Sequence, residues 1–262
     1  RSDTSDSHKR GDEIAILPLM GFINYRYGWL GTSVLGFRKS FRAALNDPAV
    51  RAIVIDVDSP GGSIDGVSEL AAEIYNARGR KPIVAMANNQ AASAAYWLAS
   101  AAEELIATPS GDVGAIGVFA VHDDVSGLLE KYGIRRTLIY QGKYKVEGNP
   151  YQPLTEEAKT AIQTRVDECY DSFVLDVARN RGVSDKAVRE GFGEGRLVSA
   201  KRALSLGMID RIATFDEVLS DLQARVVPTV TVSKAQTEET EMDWEKLTLE
   251  DLKAHRPDLV EA

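Results

Sequence analysis

The chain has one cysteine, Cys169, and three histidines, His8, His122 and His255, in 262 residues. A single cysteine excludes an internal disulfide framework and fits a reducing compartment. Three scattered histidines leave little for a metal centre or a histidine-dependent triad, and no cofactor or metal is expected. No run approaches the roughly 18 apolar residues of a membrane span, and the start carries no signal-peptide pattern. Basic residues are in the minority, 31 Lys and Arg against 39 Asp and Glu, for a formal charge of −8. That balance argues against a nucleic-acid binder. No internal repeat is found. The chain opens at Arg1 rather than methionine, as expected of a fragment or a processed product, and an anchor upstream stays open.

What is present is a large apolar fraction, 44%, enough for a substantial core, arranged in alternating strand-like and helix-like segments. After a polar arm, residues 1–11, the stretch Glu13–Leu19 reads as a strand. Ser33–Asn46 has helical spacing and is closed by Asn46-Asp47-Pro48. Arg51–Val57 is β-branched and almost continuously apolar, as suits a central parallel strand covered on both faces. The turn Asp58-Ser59-Pro60-Gly61-Gly62-Ser63 follows, then a helix over about Ile64–Arg78 and a short strand, Ile83–Met86. Beyond the helix after Ser93 come a strand at Glu104–Ala107, a glycine-spaced extended segment at Gly114–Val121, a helix at Val125–Tyr132 and a strand at Arg136–Tyr140. Gln141–Pro153 reads as a long loop and Thr155–Arg181 as a long helix, stopped by Gly182, with apolar positions that include Ala158, Ile162, Val166, Cys169, Phe173, Leu175 and Val177. Short helices at Ser184–Phe192, Ala200–Leu206 and Phe215–Ala224 complete a domain spanning residues 12–224. Composition then shifts. Residues 225–241 read as a linker, and residues 242–262 as a tail with a helix start at Thr248. The alternation predicts an α/β domain with a largely parallel sheet, whose active site lies at the carboxyl ends of the strands.

Two segments sit at that end. In the run from Ala87 to Ala101, Ser93 stands between a buried strand and an alanine-rich helix, where hydrolase folds present a nucleophile. Serine is equally a preferred helix cap. The pair Gly61-Gly62 lets backbone N–H groups come close to a ligand, with Pro60 fixing the approach. An N–H there and that of Ala94 would hold an oxyanion; alone, the pair is a tight strand-to-helix turn. A serine nucleophile needs a base, and His122, Lys143 and Lys145 are the candidates. His122, beside Asp123-Asp124, reads as a surface or structural histidine. Either lysine serves only where burial lowers the pKa of its ammonium, and otherwise reads as a solvated loop charge. The residues alone leave the choice open. Gly114, Ala115, Ile116 and Gly117 are placed to pair with a substrate backbone as an added strand. Asp56 and Asp58 read as polar strand-end groups rather than a metal pair, Tyr96-Trp97 as core packing, and Cys169 as buried and inert.

Four motifs occur in one order: Asp56-Val57-Asp58-Ser59-Pro60-Gly61-Gly62; Ser93 after a strand; Gly114-Ala115-Ile116-Gly117-Val118; and Leu138 through Pro150, with Lys143-Tyr144-Lys145-Val146-Glu147-Gly148-Asn149. Gly195-Arg196-Leu197-Val198, Ala203 and Gly207-Met208-Ile209-Asp210 continue the match. From about Gly11 to Leu222 the sequence resembles the Ser-Lys peptidases of the signal peptide peptidase (protease IV) family, whose fold is that of Clp protease and crotonase, with repeated β-β-α units. The run from Lys145 to Tyr151 most resembles its phage branch, the prohead or capsid-maturation proteases. The resemblance implies Ser93 as nucleophile, Lys145 and not Lys143 as general base, and an oxyanion hole at Gly61, Gly62 and Ala94. It implies a homo-oligomer in which the lysine can come from a neighbouring copy, and scaffold and capsid proteins as substrates inside an assembling phage head in the host cytoplasm. Met242 onward then reads as the beginning of a scaffold segment, and the linker as a site of self-cleavage. One departure stands out. Many members carry Gly-Ser-Ile-Gly where this chain has Gly114-Ala115-Ile116-Gly117, and Ala115 cannot support the lysine through a hydroxyl; Ser110 or a water would have to. The alternatives are a bacterial signal peptide peptidase lacking its membrane anchor, a crotonase-like acyl-CoA enzyme, and a non-enzymatic assembly scaffold.

Overall fold

The computed structural model describes residues 13–26 and 31–226, all within Arg1–Val227, one of two units into which the chain divides. The expected arm over residues 1–11, most of the linker and the whole tail lie outside the described residues. In chain order the elements are β1 (Glu13–Met20), β2 (Phe22–Asn24), β3 (Gly31–Ser33), α1 (Val34–Asn46), β4 (Val50–Ser59), α2 (Val67–Asn76), β5 (Ile83–Ala92) and α3 (Ala94–Ser100). Then follow β6 (Glu104–Ala107), β7 (Asp112–Gly114), α4 (Ser126–Lys131), α5 (Glu156–Arg181), α6 (Asp185–Gly191), β8 (Leu197–Ser199), α7 (Ala200–Ser205), β9 (Arg211–Ile212) and α8 (Phe215–Val226).

The main sheet runs β1-β4-β5-β6-β9, all parallel, with β7 added parallel to the end of β5 and β8 antiparallel to β7. The expectation of a largely parallel α/β sheet is met. β4 explains the arrangement. Its residues Ile53, Ile55 and Val57 face one apolar cluster, which also takes in α1, α2, α3 and α5 residues. Ala52 and Val54 face a second cluster, closed by Val218, Leu222 and Val226 of α8. A strand buried on both faces has no polar alternation to keep, hence its continuous apolar run. Helix starts follow local chemistry: the hydroxyls of Ser33, Thr155 and Ser184 accept N–H groups of Gly36, Ala158 and Ala187 and so cap α1, α5 and α6.

The structure differs from expectation in four places. β5 does not end at Met86 but continues to Ala92, with a register shift where Ser59 of β4 pairs with Ala91 rather than Asn89. The polar residues Asn88, Asn89 and Gln90 are therefore a bulged continuation of a strand; Asn89, at φ 149, bonds Asp58 through its amide. β7 stops at Gly114, so most of the expected extended segment is irregular. Arg136–Tyr140 is not a strand: Ile139 is 97% exposed and no strand partners it among the described residues. Leu175, read as part of the apolar face of α5, points outward and is 58% exposed.

From Gly117 to Thr155 no residue is fully buried. This segment is an arm, carried on the first half of α5, in which Ala158 is the one buried residue before Cys169. The second half of α5 is anchored through Phe173, Val174, Val177 and Ala178. Roughly 20 Å of helix thus projects from the body.

Candidate active site

Ser93 follows β5 directly and precedes α3, with φ 52 and ψ −125. A side chain at such a backbone conformation costs about 1–3 kcal/mol, and it persists only where the surroundings impose it. The helix-cap reading fails here, because the Ser93 side chain makes no capping hydrogen bond. Its backbone is held instead: the Ser93 N–H donates to Gly114 O at 2.7 Å, and its carbonyl accepts the Trp97 N–H at 3.0 Å. A strained strand-to-helix turn whose hydroxyl has no partner among the described residues has the form of a nucleophile elbow.

Gly61 packs against this turn. A Cβ on Gly61 would lie 2.7 Å from Ser93 Cβ and 3.0 Å from Ala94 N, and its φ is +96. A Cβ on Gly62 would strike Ile23 O at 2.2 Å. Both glycines are required by close approach. The buried Ser59 hydroxyl secures the turn, donating to Gly21 O at 2.6 Å and accepting the Gly61 N–H at 3.1 Å. That bond corrects one expectation: the Gly61 N–H is already engaged. Ile23 N–H donates to Gly61 O, and Ser63 N–H to Ile23 O. The N–H groups of Gly62 and Ala94 have no acceptor among the described residues, so these two are the donors left for an oxyanion.

The expected substrate-pairing edge is also narrower. Gly114 pairs with Ala92 on one side and Leu197 on the other, and the Ala115 N–H donates to Arg196 O at 2.9 Å. Ile116 and Gly117 belong to no strand; the Ile116 side chain is buried and Gly117 is half-buried. Ala115 itself sits at φ 50, a second strained residue joined to the first through the Ser93–Gly114 bond.

The three candidate bases lie in the arm. His122 Nε2 is 3.0 Å from Asn149 O, a tie between two arm segments, which fits the structural reading. The Lys143 ammonium donates to Tyr144 Oη at 2.7 Å and to Glu157 Oε1 at 3.1 Å. The hydrogen bond to Tyr144, with Glu157 adding a bond and an opposite charge, raises its pKa, the wrong direction for a base. Lys145 is exposed, and no hydrogen bond or ion pair joins its side chain to another described residue. Its backbone is nonetheless fixed by successive turns: Lys145 N–H to Gly142 O, Glu147 N–H to Tyr144 O, and Asn149 N–H to Val146 O. Tyr144 Oη also donates to Glu157 Oε1 at 2.9 Å, tying the loop to the first turn of α5. Ser110 is exposed in a turn.

The remaining polar groups fall as follows. Asp58 accepts from Asn89, and burial raises the pKa of Asp56, whose Oδ1 has no partner among the described residues. Tyr96 is fully buried, with its hydroxyl on Met208 O, and Cys169 is buried. Among the described residues no cluster of His, Cys, Asp and Glu is arranged to hold a metal ion, and no helix is long and apolar enough to cross a membrane. One contributor was not read from sequence, Ser59, whose hydroxyl holds the Gly61 turn. Asp176 of α5 was not read either; between the buried Phe173, Val174 and Val177, its Oδ2 accepts from the Ser68 hydroxyl and the Trp97 indole.

The profile of peptidase family S49 matches residues 76–227. A capsid assembly protease C of Escherichia phage lambda is 33% identical over 212 residues, 79% of this chain and 48% of the phage protein. A head-tail preconnector protein of Enterobacteria phage P21 is 30% identical over 92% of this chain and 50% of its own length. A putative signal peptide peptidase of Enterococcus faecium is 31% identical over 71% of this chain and 54% of its own. The chain thus spans about half the length of these relatives. In fold it is similar to the 1510-N membrane-bound stomatin-specific protease, solved as a mutant with a substrate peptide, at a TM-score of 0.50 and 18% identity over 80% of each chain.

Proposed function

The chain belongs to peptidase family S49, and from that premise we propose that it is a serine endopeptidase with Ser93 as nucleophile and Lys145 as general base. The observation that carries the reading is the strained elbow at Ser93, its hydroxyl without a hydrogen-bond partner among the described residues and Gly61 packed against it. Neutral Lys145 takes the Ser93 proton as the serine oxygen attacks the substrate carbonyl carbon. The carbonyl oxygen becomes an oxyanion, held by the N–H groups of Gly62 and Ala94. The Lys145 ammonium then gives its proton to the departing amine, the C–N bond breaks, and an ester on Ser93 remains. Water, losing a proton to Lys145, attacks that ester and restores both groups. The substrate lies extended along Ile116 and Gly117.

Lys145 acts in trans, on Ser93 of a neighbouring copy. Its support is the arm: no fully buried residue between Gly117 and Thr155, exposed apolar side chains such as Phe119, Ile139 and Tyr140, and a mount on the projecting half of α5. Surface of that kind marks an interface. Packing against a second copy also desolvates a lysine, which a lysine base requires. The substrates are scaffold and capsid proteins of an assembling phage head, a reading that leans on the two phage relatives and on the Lys145–Tyr151 run.

The test is labelling with a fluorophosphonate together with cleavage of a phage scaffold protein by wild type, Ser93→Ala and Lys145→Ala. Both variants should lose at least about 10³-fold in rate, and Ser93→Ala should take no label. Wild-type cleavage by either variant contradicts the dyad. Cleavage of membrane-embedded signal peptides in preference to scaffold protein would favour a signal peptide peptidase instead. An acyl-CoA enzyme or a passive scaffold has no use for the elbow serine, and would show neither label nor cleavage.

A further inference from the structure

The strained turn at Ser93 needs a fixed support, and α3 passes that requirement to α5. Trp97 lies one helical turn after Ser93 and donates its N–H to the Ser93 carbonyl. The setting of its side chain therefore bears on the rotation of α3, which the Tyr96 hydroxyl on Met208 O also holds, and so on the direction of Ser93 Oγ and of the Ala94 N–H. That side chain is 3% exposed and stacks on Phe173 of α5, with ring centroids 4.5 Å apart and planes 5° from parallel. Parallel stacking resists tilting but allows sliding. The indole N–H stops the slide by donating to Asp176 Oδ2 at 2.9 Å. The same oxygen accepts the Ser68 hydroxyl of α2 at 2.9 Å, and Oδ1 lies 3.0 Å from Arg179. The Asp176 side chain is 14% exposed. A carboxyl group so placed is tolerated only when its oxygens are used, and here α2, α3 and α5 converge on it.

We propose that Asp176 is a positioning residue for the nucleophile, acting through Trp97; the inference rests on the reading of Ser93 as the attacking group. Asp176 touches neither substrate nor reacting atoms. It locks the register of the short helix that aims the serine hydroxyl and one oxyanion donor.

Trp97→Phe keeps an aromatic ring on Phe173 and removes the donor. Asp176→Asn keeps an acceptor for the indole, and Asp176→Ala does not. In the full chain, the rate of fluorophosphonate labelling and the kcat and KM for peptide cleavage are measured beside circular dichroism and thermal melting. Trp97→Phe and Asp176→Ala should each slow labelling and kcat by about 10-fold with KM unchanged, as expected of a small misplacement of a reacting group. Asp176→Asn should stay within about 3-fold of wild type. The double variant should be no slower than the slower single one, because both changes break one connection. If Asp176→Ala does not fold, Trp97→Phe against Asp176→Asn decides. Wild-type labelling and kcat in folded Trp97→Phe overturn the positioning role and leave the dyad standing. Multiplicative losses in the double variant overturn it too. Label retained in Ser93→Ala removes the nucleophile, and the inference with it.

Discussion

Ser93 is held by its own backbone bonds, by the approach of Gly61, and by Trp97 one turn on. Gly61→Ala tests the approach. The new Cβ would sit 2.7 Å from Ser93 Cβ at a φ that alanine resists, so the elbow must move. Cleavage should fall by about 10²-fold or more, the scale of a lost oxyanion donor, with the fold retained in circular dichroism; wild-type cleavage would mean that the turn has slack. The lysines separate cleanly. Lys143→Ala breaks the contacts to Tyr144 and Glu157, an exposed cluster whose stability value is small. It should keep most activity in the assay that finds Lys145→Ala inactive, and equal losses in the two would undo the assignment. At this scale the sequence was partly legible. A serine after a strand and a pair of glycines can be seen in the letters. That Asp176 reaches Trp97 depends on a contact between residues 79 apart, which no local pattern records; the bond from the Gly61 N–H to Ser59 spans only two residues, a local turn that the letters allow without showing that it takes a donor from the oxyanion site.

At the scale of elements, α5 is the connecting member. Its start is capped by Thr155 and holds the Lys145 loop through Glu157; its end is fixed by Gly182 in the left-handed conformation, φ 66, and by the ion pair of Arg181 with Asp210. Asp210 also accepts the Leu105 N–H at 2.7 Å, joining α5 to β6. Burial by itself would raise the pKa of Asp210, but the bonds from Arg181 and Leu105 outweigh it and hold the carboxyl below the usual range. A depressed carboxylate contributes stability above its unfolded pKa, near 4, and loses that contribution as pH falls through the folded value. Asp210→Asn should therefore cost about 1–2 kcal/mol at neutral pH, discounted for partial exposure. The gap to wild type should close in denaturant titrations at lower pH. A gap that is constant with pH would show that the charge is not what matters. Elements whose chemistry is local were legible: the Thr155 cap, the Gly182 stop and the β-branched run of β4. The strand expected at Arg136–Tyr140 was not, because its residues have strand character but no partner strand in the described fold. The length of β5 was hidden as well, because three polar residues that look like a turn form a bulge.

For the whole molecule, the parallel sheet and its carboxyl-end site follow from alternation and were legible, whereas the arm was not. A segment of mixed helix, strand and loop signals reads as ordinary domain until its residues are found without burial. Its apolar side chains and its lysine make sense together if a second copy covers both, which ties assembly to activity. The full chain should then be an oligomer in analytical ultracentrifugation, and changing Phe119 and Ile139 to Ser together should dissociate it and abolish cleavage without lowering the melting temperature of the body. An active monomer would separate assembly from catalysis. The measurement that bears most directly on the central claim is subunit complementation. Ser93→Ala and Lys145→Ala, each inactive alone, are mixed, dissociated and reassembled. A site drawn from two copies predicts recovery of about a quarter of wild-type cleavage, the chance that one copy supplies an intact serine and its neighbour an intact lysine. A mixture as inactive as its parts would contradict it.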